Sequence, residues 1–302
     1  MRAFPMLALL AAPCSHPALA QSADASPTEA NASNVEIANI GGQAAIWVAG
    51  ASAGYLQRDG GPDSPYAILS LTRYKGRTYL RGALTAYRST IRQIDAALPS
   101  TYIIGSIGAG GNWNDWVADG FASYGRQNYG KVETSAGRRA AQVGSDSDYW
   151  AFGLRAGRIF RPAPRLYVTP TLGIQYAETR SLRHRIDFGN WQGLDFELPE
   201  RALTANAAVR LDRTFGKEQQ HFFGLSLTHY ESNNGLTSWR LDGRPLNQMP
   251  VTDPTPDSWQ ELGVSGTFRL NRRLWLDTQA QRTFGAVAGD GTALSLGLRL
   301  QF

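Results

Sequence analysis

Apolar and polar residues alternate with a period of two in many of twelve strand-like stretches between residue 43 and the last residue, less regularly in 43–57 and 101–112. That period is the mark of a β-strand with one apolar face. The final stretch, ALSLGLRLQF, sets Leu294, Leu296, Leu298, Leu300 and Phe302 on one side and Ser295, Gly297, Arg299 and Gln301 on the other. A terminal strand this apolar invites aggregation. It is safe if something covers it, or if it closes a barrel whose apolar face meets lipid. The expected strands are 43–57, 66–75, 77–88, 101–112, 116–127, 148–160, 165–179, 202–215, 220–231, 258–270, 273–284 and 292–302.

The connections discriminate between these folds. Those after even-numbered strands are short: Lys75-Gly76, Trp113-Asn114-Asp115, Arg161 to Pro164, Gly216 to Gln219 and Asn271-Arg272. Those after odd-numbered strands are mostly long, at 58–65, 89–100, 128–147, 180–201, 232–257 and 285–291. Strict short/long alternation belongs to an outer-membrane barrel with tight periplasmic turns and long extracellular loops. A soluble sandwich has no reason to keep every long loop at one end.

The sequence therefore predicts an all-β fold, a transmembrane antiparallel up-and-down barrel of about 12 strands. An even strand number places both termini on the periplasmic side. Rings flank each short turn (Tyr74, Tyr79, Trp113, Trp116, Phe160, Tyr167, Phe215, Phe222, Phe223, Trp275 and Phe302). A second set marks the strand ends beside the long loops (Tyr55, Tyr66, Tyr87, Tyr102, Tyr124, Tyr149, Tyr176, Tyr230, Trp259 and Phe284). Two levels of rings predict two interfacial girdles.

Residues 1–20 read as a secretory signal. Arg2 begins it, Met6 to Ala12 is apolar, and Ala18-Leu19-Ala20 is a small-residue cleavage site. The single cysteine, Cys14, falls within it and follows Pro13, a poor fit to a lipoprotein box. The mature chain is then free of cysteine, which excludes a disulfide framework and thiol chemistry. Residues 21–42 are polar and small, a short lead or a plug for the lumen, and 43–302 are the barrel. After the N-terminus no run of about 18 apolar residues offers a membrane helix. The net charge of +5 comes from scattered Lys and Arg, so a nucleic-acid partner is not expected.

Parity along the strands turns Arg155, Arg210, Asp212, Glu261, Arg269, Asp277 and Arg299 towards the lumen, because charge facing lipid is costly. Such a set is either an interior network or the lining of a channel or peptide socket. Catalytic chemistry is sparse. THYESNNG (228–235) resembles the His-x-Ser-Asn signature of outer-membrane lipid esterases, but His229 and Ser232 are three apart and point to opposite faces of a regular strand. The four histidines show no metal spacing, and neither a metal nor a cofactor is expected.

Several stretches resemble the translocator barrel of type V autotransporters. SDSDYWAFGLRAGRIFRPAPRLYVTPTLGIQYAET is similar to that family's central hairpin and TANAAVRLDRTFG to the strand after it. WQELGVSGTFRLNRRLWLDTQAQRTFG is similar to the penultimate hairpin, and LSLGLRLQF to the final strand. The resemblance covers about 145–302 closely and 43–144 loosely. It implies a non-enzymatic translocator or anchor in the outer membrane, in contact with its lipid, and a monomer. It also implies that Leu296, Leu298, Leu300 and Phe302 are read by the barrel-assembly machinery. Family members carry a long passenger before the barrel. About twenty residues stand between signal and barrel here, so little or no passenger is expected. Asn233-Asn234 lies in an expected outer loop and is not the family's linker-cleavage site. The competing readings are a passive porin-like channel and, further off, an esterase using His229 and Ser232.

Overall fold

The computed structural model describes residues 46–59, 64–92, 96–134, 137–185, 194–216, 219–240, 251–287 and 289–302. The expected signal and lead, 1–20 and 21–42, lie outside the described residues. Twelve long strands are present. In chain order they are β1 (Ile46–Arg58), β2 (Ser64–Lys75), β3 (Thr78–Arg92), β4 (Ala96–Trp113), β5 (Trp116–Tyr129), β8 (Asp146–Arg158), β10 (Leu166–Arg185), β11 (Leu194–Phe215), β12 (His221–Arg240), β13 (Val251–Arg269), β14 (Leu274–Phe284) and β15 (Gly291–Gln301). Three short strands, β6 (Val132–Thr134), β7 (Gly137–Arg139) and β9 (Phe160–Ala163), decorate the connections. Each long strand pairs antiparallel with the next, and β15 returns to β1. The seam runs in register from Val48↔Gln301 to Arg58↔Gly291. Trp47 and Phe302 finish it by exchanging both backbone hydrogen bonds, at 3.2 and 3.0 Å. The sheet thus closes on itself, and no strand edge is left for lipid to meet.

The burial pattern is that of a soluble protein turned inside out. Thr204 and Asp212 are 0% exposed, while Leu172 is 70% and Leu154 68% exposed. Along β15, Leu294, Leu296, Leu298 and Leu300 face outward and Arg299 is buried. A band of apolar side chains around a polar interior suits hydrocarbon outside and a wet or packed lumen inside. That resolves the paradox of the apolar last strand.

Inside, small residues leave room for large neighbours. A Cβ on Gly54 of β1 would collide with the ring of Tyr66 on β2, which lies flat over it. A Cβ on Gly110 of β4 would meet the Tyr79 hydroxyl in the same way. At the short turns, Asn114 and Asp115 take left-handed φ of 53° and 71° between the paired Trp113 and Trp116. This is the two-residue hairpin geometry that follows strand twist, and Asn and Asp tolerate it best.

The long connections differ from expectation. Much of 180–201 and 232–257 continues as ladder, with His184 opposite Asp195 and Trp239 opposite Thr252. The physical reason is that alternation reports lipid contact rather than pairing. Past the membrane the outer face of a hairpin no longer needs apolar side chains, while its backbone bonds persist. Asn233 and Asn234 are accordingly in β12, not in a loop. Asn234 is buried, and it donates its amide to the Arg201 carbonyl at 2.9 Å. In 128–147 the β6–β7 hairpin joins the end of β4 (Ala96↔Thr134), burying Val132 against Leu98 and Leu182. Part of the expected turn at 161–164 is the short strand β9, which pairs with β10.

The girdles need correction too. Trp113, Trp116, Phe160, Phe215, Phe223 and Phe302 do face outward near the short turns. Tyr74, Tyr79, Tyr167 and Phe222 are buried on the opposite face. At the other end Tyr55, Tyr124 and Phe284 are exposed, but Tyr66, Tyr87, Tyr102, Tyr149, Tyr230 and Trp259 are buried. Depth along a strand was the criterion for the girdles, and parity decides the face.

Candidate functional site

The candidate site is the barrel interior, built where inward positions of neighbouring strands meet. Its short-turn half is polar. On β8, Arg155 donates from Nε and Nη2 to Asp119 of β5 at 3.1 and 3.0 Å. On β11, Arg210 donates from Nε to both carboxylate oxygens of Asp212, at 2.8 and 3.0 Å. Its Nη2 reaches Ser265 of β13 at 2.9 Å. That reach crosses β12 over Gly224, where a Cβ would strike Asp212, Arg210 and Ser265. On β15, Arg299 pairs with Asp277 of β14, and Thr267 of β13 donates to the same carboxylate at 2.5 Å. Buried charges need such partners, since an unpaired one carries a large desolvation cost.

The sequence-predicted set is thus placed as follows. Arg155, Arg210, Asp212, Asp277 and Arg299 sit in paired interior contacts. Glu261 shares the face of Ser265 and Thr267, opposite Thr228 and Thr283. Arg269 departs from the group: it lies at the short-turn mouth, donating to the carbonyls of Asn271 and Arg272 at 3.0 and 3.4 Å. Its guanidinium lies over the Trp275 ring at 5.8 Å. Sequence reasoning missed Asp119, the partner of Arg155, and buried Arg81. Both were reachable by parity, Asp119 through Phe121 and Ser123, and Arg81 through Tyr79 and Thr85. Leu296, Leu298, Leu300 and Phe302 are exposed on the outer wall.

The long-loop half of the interior mixes a tyrosine-rich cluster with buried polar side chains such as Gln127, Glu200 and Thr204. Tyr66, Tyr87, Tyr102 and Tyr149 cluster with Ile68 and Ile104. Tyr87 and Tyr102 stack at 4.3 Å, and Tyr230 stacks on Trp259 at 4.9 Å. Between the walls of β1, β2, β14 and β15 lies a cavity of about 50 Å³, lined by Ser52, Ser70, Tyr74, Arg81, Asp277 and Arg299. Arginine–aspartate pairing cancels most of the interior charge.

The esterase constellation is not assembled. Ser232 is buried inside and accepts from Thr204 at 3.1 Å. His229 points outward, with Nε2 on Glu231 at 2.9 Å. The bulge in β12 begins after Ser232, so it does not rotate the pair together. At the start of β8, Asp146 is 3.5 Å from Arg126, and Asp148 accepts from the Tyr124 hydroxyl at 2.8 Å. Among the described residues no group of three His, Cys, Asp or Glu could hold a metal ion.

Comparison with known proteins places this architecture. Among curated proteins no sequence matches. In fold the chain is similar to the translocator domain of autotransporter NalP from Neisseria meningitidis, with a TM-score of 0.57 at 14% identity, over 87% of this chain and 90% of that one. It is equally similar to the β domain of the Bordetella autotransporter BrkA, with a TM-score of 0.57 at 14% identity, over 86% of this chain and 100% of that one. The family model of the autotransporter β-domain matches residues 28–281, most of the chain. A closed twelve-stranded barrel and that match together identify the protein as a member of the autotransporter β-domain family, an outer-membrane β-barrel.

Proposed function

We propose that the barrel works as a non-enzymatic translocator and anchor, with its short-turn end and both termini in the periplasm. The supporting observation is the seam. Trp47 and Phe302 are hydrogen-bonded neighbours at the short-turn end, so the segment before β1 reaches the barrel at that mouth. From there the polar wall of Ser52, Ser70, Thr72 and the Arg–Asp pairs offers an extended chain or helix a surface it can share with water. The chain works as a monomer, because lipid-facing apolar side chains occur all around the barrel. Leu296, Leu298, Leu300 and Phe302 form the exposed face that the assembly machinery reads.

Single-channel conductance in a planar bilayer tests this reading, with refolded protein carrying or lacking residues 21–42. The reading predicts a closed or weakly conducting full-length barrel that opens when the lead is removed. Large, steady conductance in both forms would make the protein a porin-like channel instead.

A further inference from the structure

Charge is distributed unevenly between the two ends of the barrel. At the long-loop end cations are matched with acids: Arg138 with Glu133 at 2.7 Å, Arg139 with Asp195 at 2.6 Å and Arg282 with Asp59 at 2.8 Å. At the short-turn end the outer surface is almost wholly basic. Among the described residues Asp115 is its one acidic side chain, and Arg161 holds it at 2.7 Å. That contact keeps the Asp115 carboxyl below the usual carboxylate range. Lys75, Arg77, Arg165, Arg272 and Arg273 add further cations along the same turns.

Three arginines stand out by position. Arg73, Arg158 and Arg213 each follow Leu71, Ala156 and Leu211 on the lipid-facing row near its short-turn end, with Phe160 and Phe215 outward just beyond Arg158 and Arg213. Each lies opposite an outward aromatic in the ladder: Arg73 with Trp47, Arg158 with Trp116 and Arg213 with Phe223. The Arg73 guanidinium sits 5.5 Å from the Trp47 ring, and that of Arg158 sits 5.5 Å from both Trp116 and Phe160. Among the described residues none of the three forms an ion pair. Girdle rings mark the depth of lipid headgroups. A guanidinium on such a ring is held at headgroup depth with its donors free for a bidentate phosphate.

We propose that this belt binds anionic phospholipid headgroups in the leaflet at the short-turn end and so fixes the barrel's depth and tilt. The choice of leaflet rests on the periplasmic orientation given above. The charge complementarity does not.

The test uses full-length refolded protein in phosphatidylcholine vesicles. Acyl-brominated phosphatidylglycerol is titrated in, and quenching of tryptophan fluorescence gives the selectivity over brominated phosphatidylcholine. A basic side chain near an anionic surface is worth about fivefold in binding. The proposal predicts a selectivity of that order in the wild type. It predicts loss of most of that selectivity in Arg73→Gln/Arg158→Gln/Arg213→Gln and in high salt. The control Arg126→Gln/Arg138→Gln/Arg201→Gln, at the other end, should retain it. Heat-modifiable migration in gels checks that each variant is folded. Equal quenching by the two lipids in the wild type, or equal loss in both variants, would overturn the proposal. So would lipopolysaccharide displacing phosphatidylglycerol from the wild type but not from the belt variant, because the belt would then belong to the opposite leaflet. Protease access to the short turns on intact cells tests orientation separately. Cleavage there would reverse the orientation while leaving the lipid selectivity standing.

Discussion

Asp212 is the most exacting residue in the interior. Its side chain is fully buried, and among the described residues Arg210 supplies its counter-charge. Removing one member of a buried pair leaves the other uncompensated and costs about 3–5 kcal/mol. Asp212→Ala should therefore lower unfolding stability by that amount in a urea titration of the refolded barrel. Replacing both, as Arg210→Met/Asp212→Val, should recover most of the loss, since no charge is then stranded. An equal loss in the double variant would show that packing, not charge, sets the cost. Much at this scale was legible. Arg155, Arg210, Asp212, Asp277 and Arg299 are all inward by parity alone. Which of the inward residues pair was not, because parity assigns a face and not the register that sets Arg155 opposite Asp119. Arg269 shares their parity but sits at the strand end, where its long side chain reaches the turn carbonyls of Asn271 and Arg272 rather than an interior carboxylate.

Each strand carries one lipid-facing row, and the energetic content of a row depends on depth. Leu172 lies mid-row on β10 between outward Ala156 and Ala207, and Phe160 lies near the short-turn rim. Arginine on the lipid face costs about 2–4 kcal/mol at the midplane and about 0–1 kcal/mol near the interface. Leu172→Arg should be the costlier substitution by about 2 kcal/mol in unfolding titrations from lipid vesicles, with Phe160→Arg close to wild type. Equal effects would mean that the apolar band does not meet hydrocarbon. Element number and order were readable from the alternation. Element length was not: β10, β11, β12 and β13 run well past their apolar rows as hairpins that leave the membrane. Tyr66, Tyr87 and Tyr102 were misplaced in a girdle because depth suggests an interface and only the pleat shows the face.

For the whole molecule, topology follows from two facts about the chain. Short and long connections alternate, and the terminal strands each have one apolar edge row. Those features made the closed barrel legible in the sequence, while the interior tyrosine cluster near the long loops and the cap of β6 and β7 were not. The seam between β1 and β15 is the feature on which the account depends. It joins residues some 250 apart in sequence and turns a sheet into a lipid-stable wall. The first measurement is disulfide trapping across it, in intact outer membranes, with cysteines at the paired positions Ala51 and Leu298. A second pair at Val264 and Ala280, across β13 and β14, serves as the control. Paired strand positions fall within disulfide reach, and the mature chain is expected to bring no competing thiol. The account predicts an intramolecular link for both pairs under mild oxidation, without dimers. A control link with no link, or only an intermolecular one, between 51 and 298 would contradict the closed barrel.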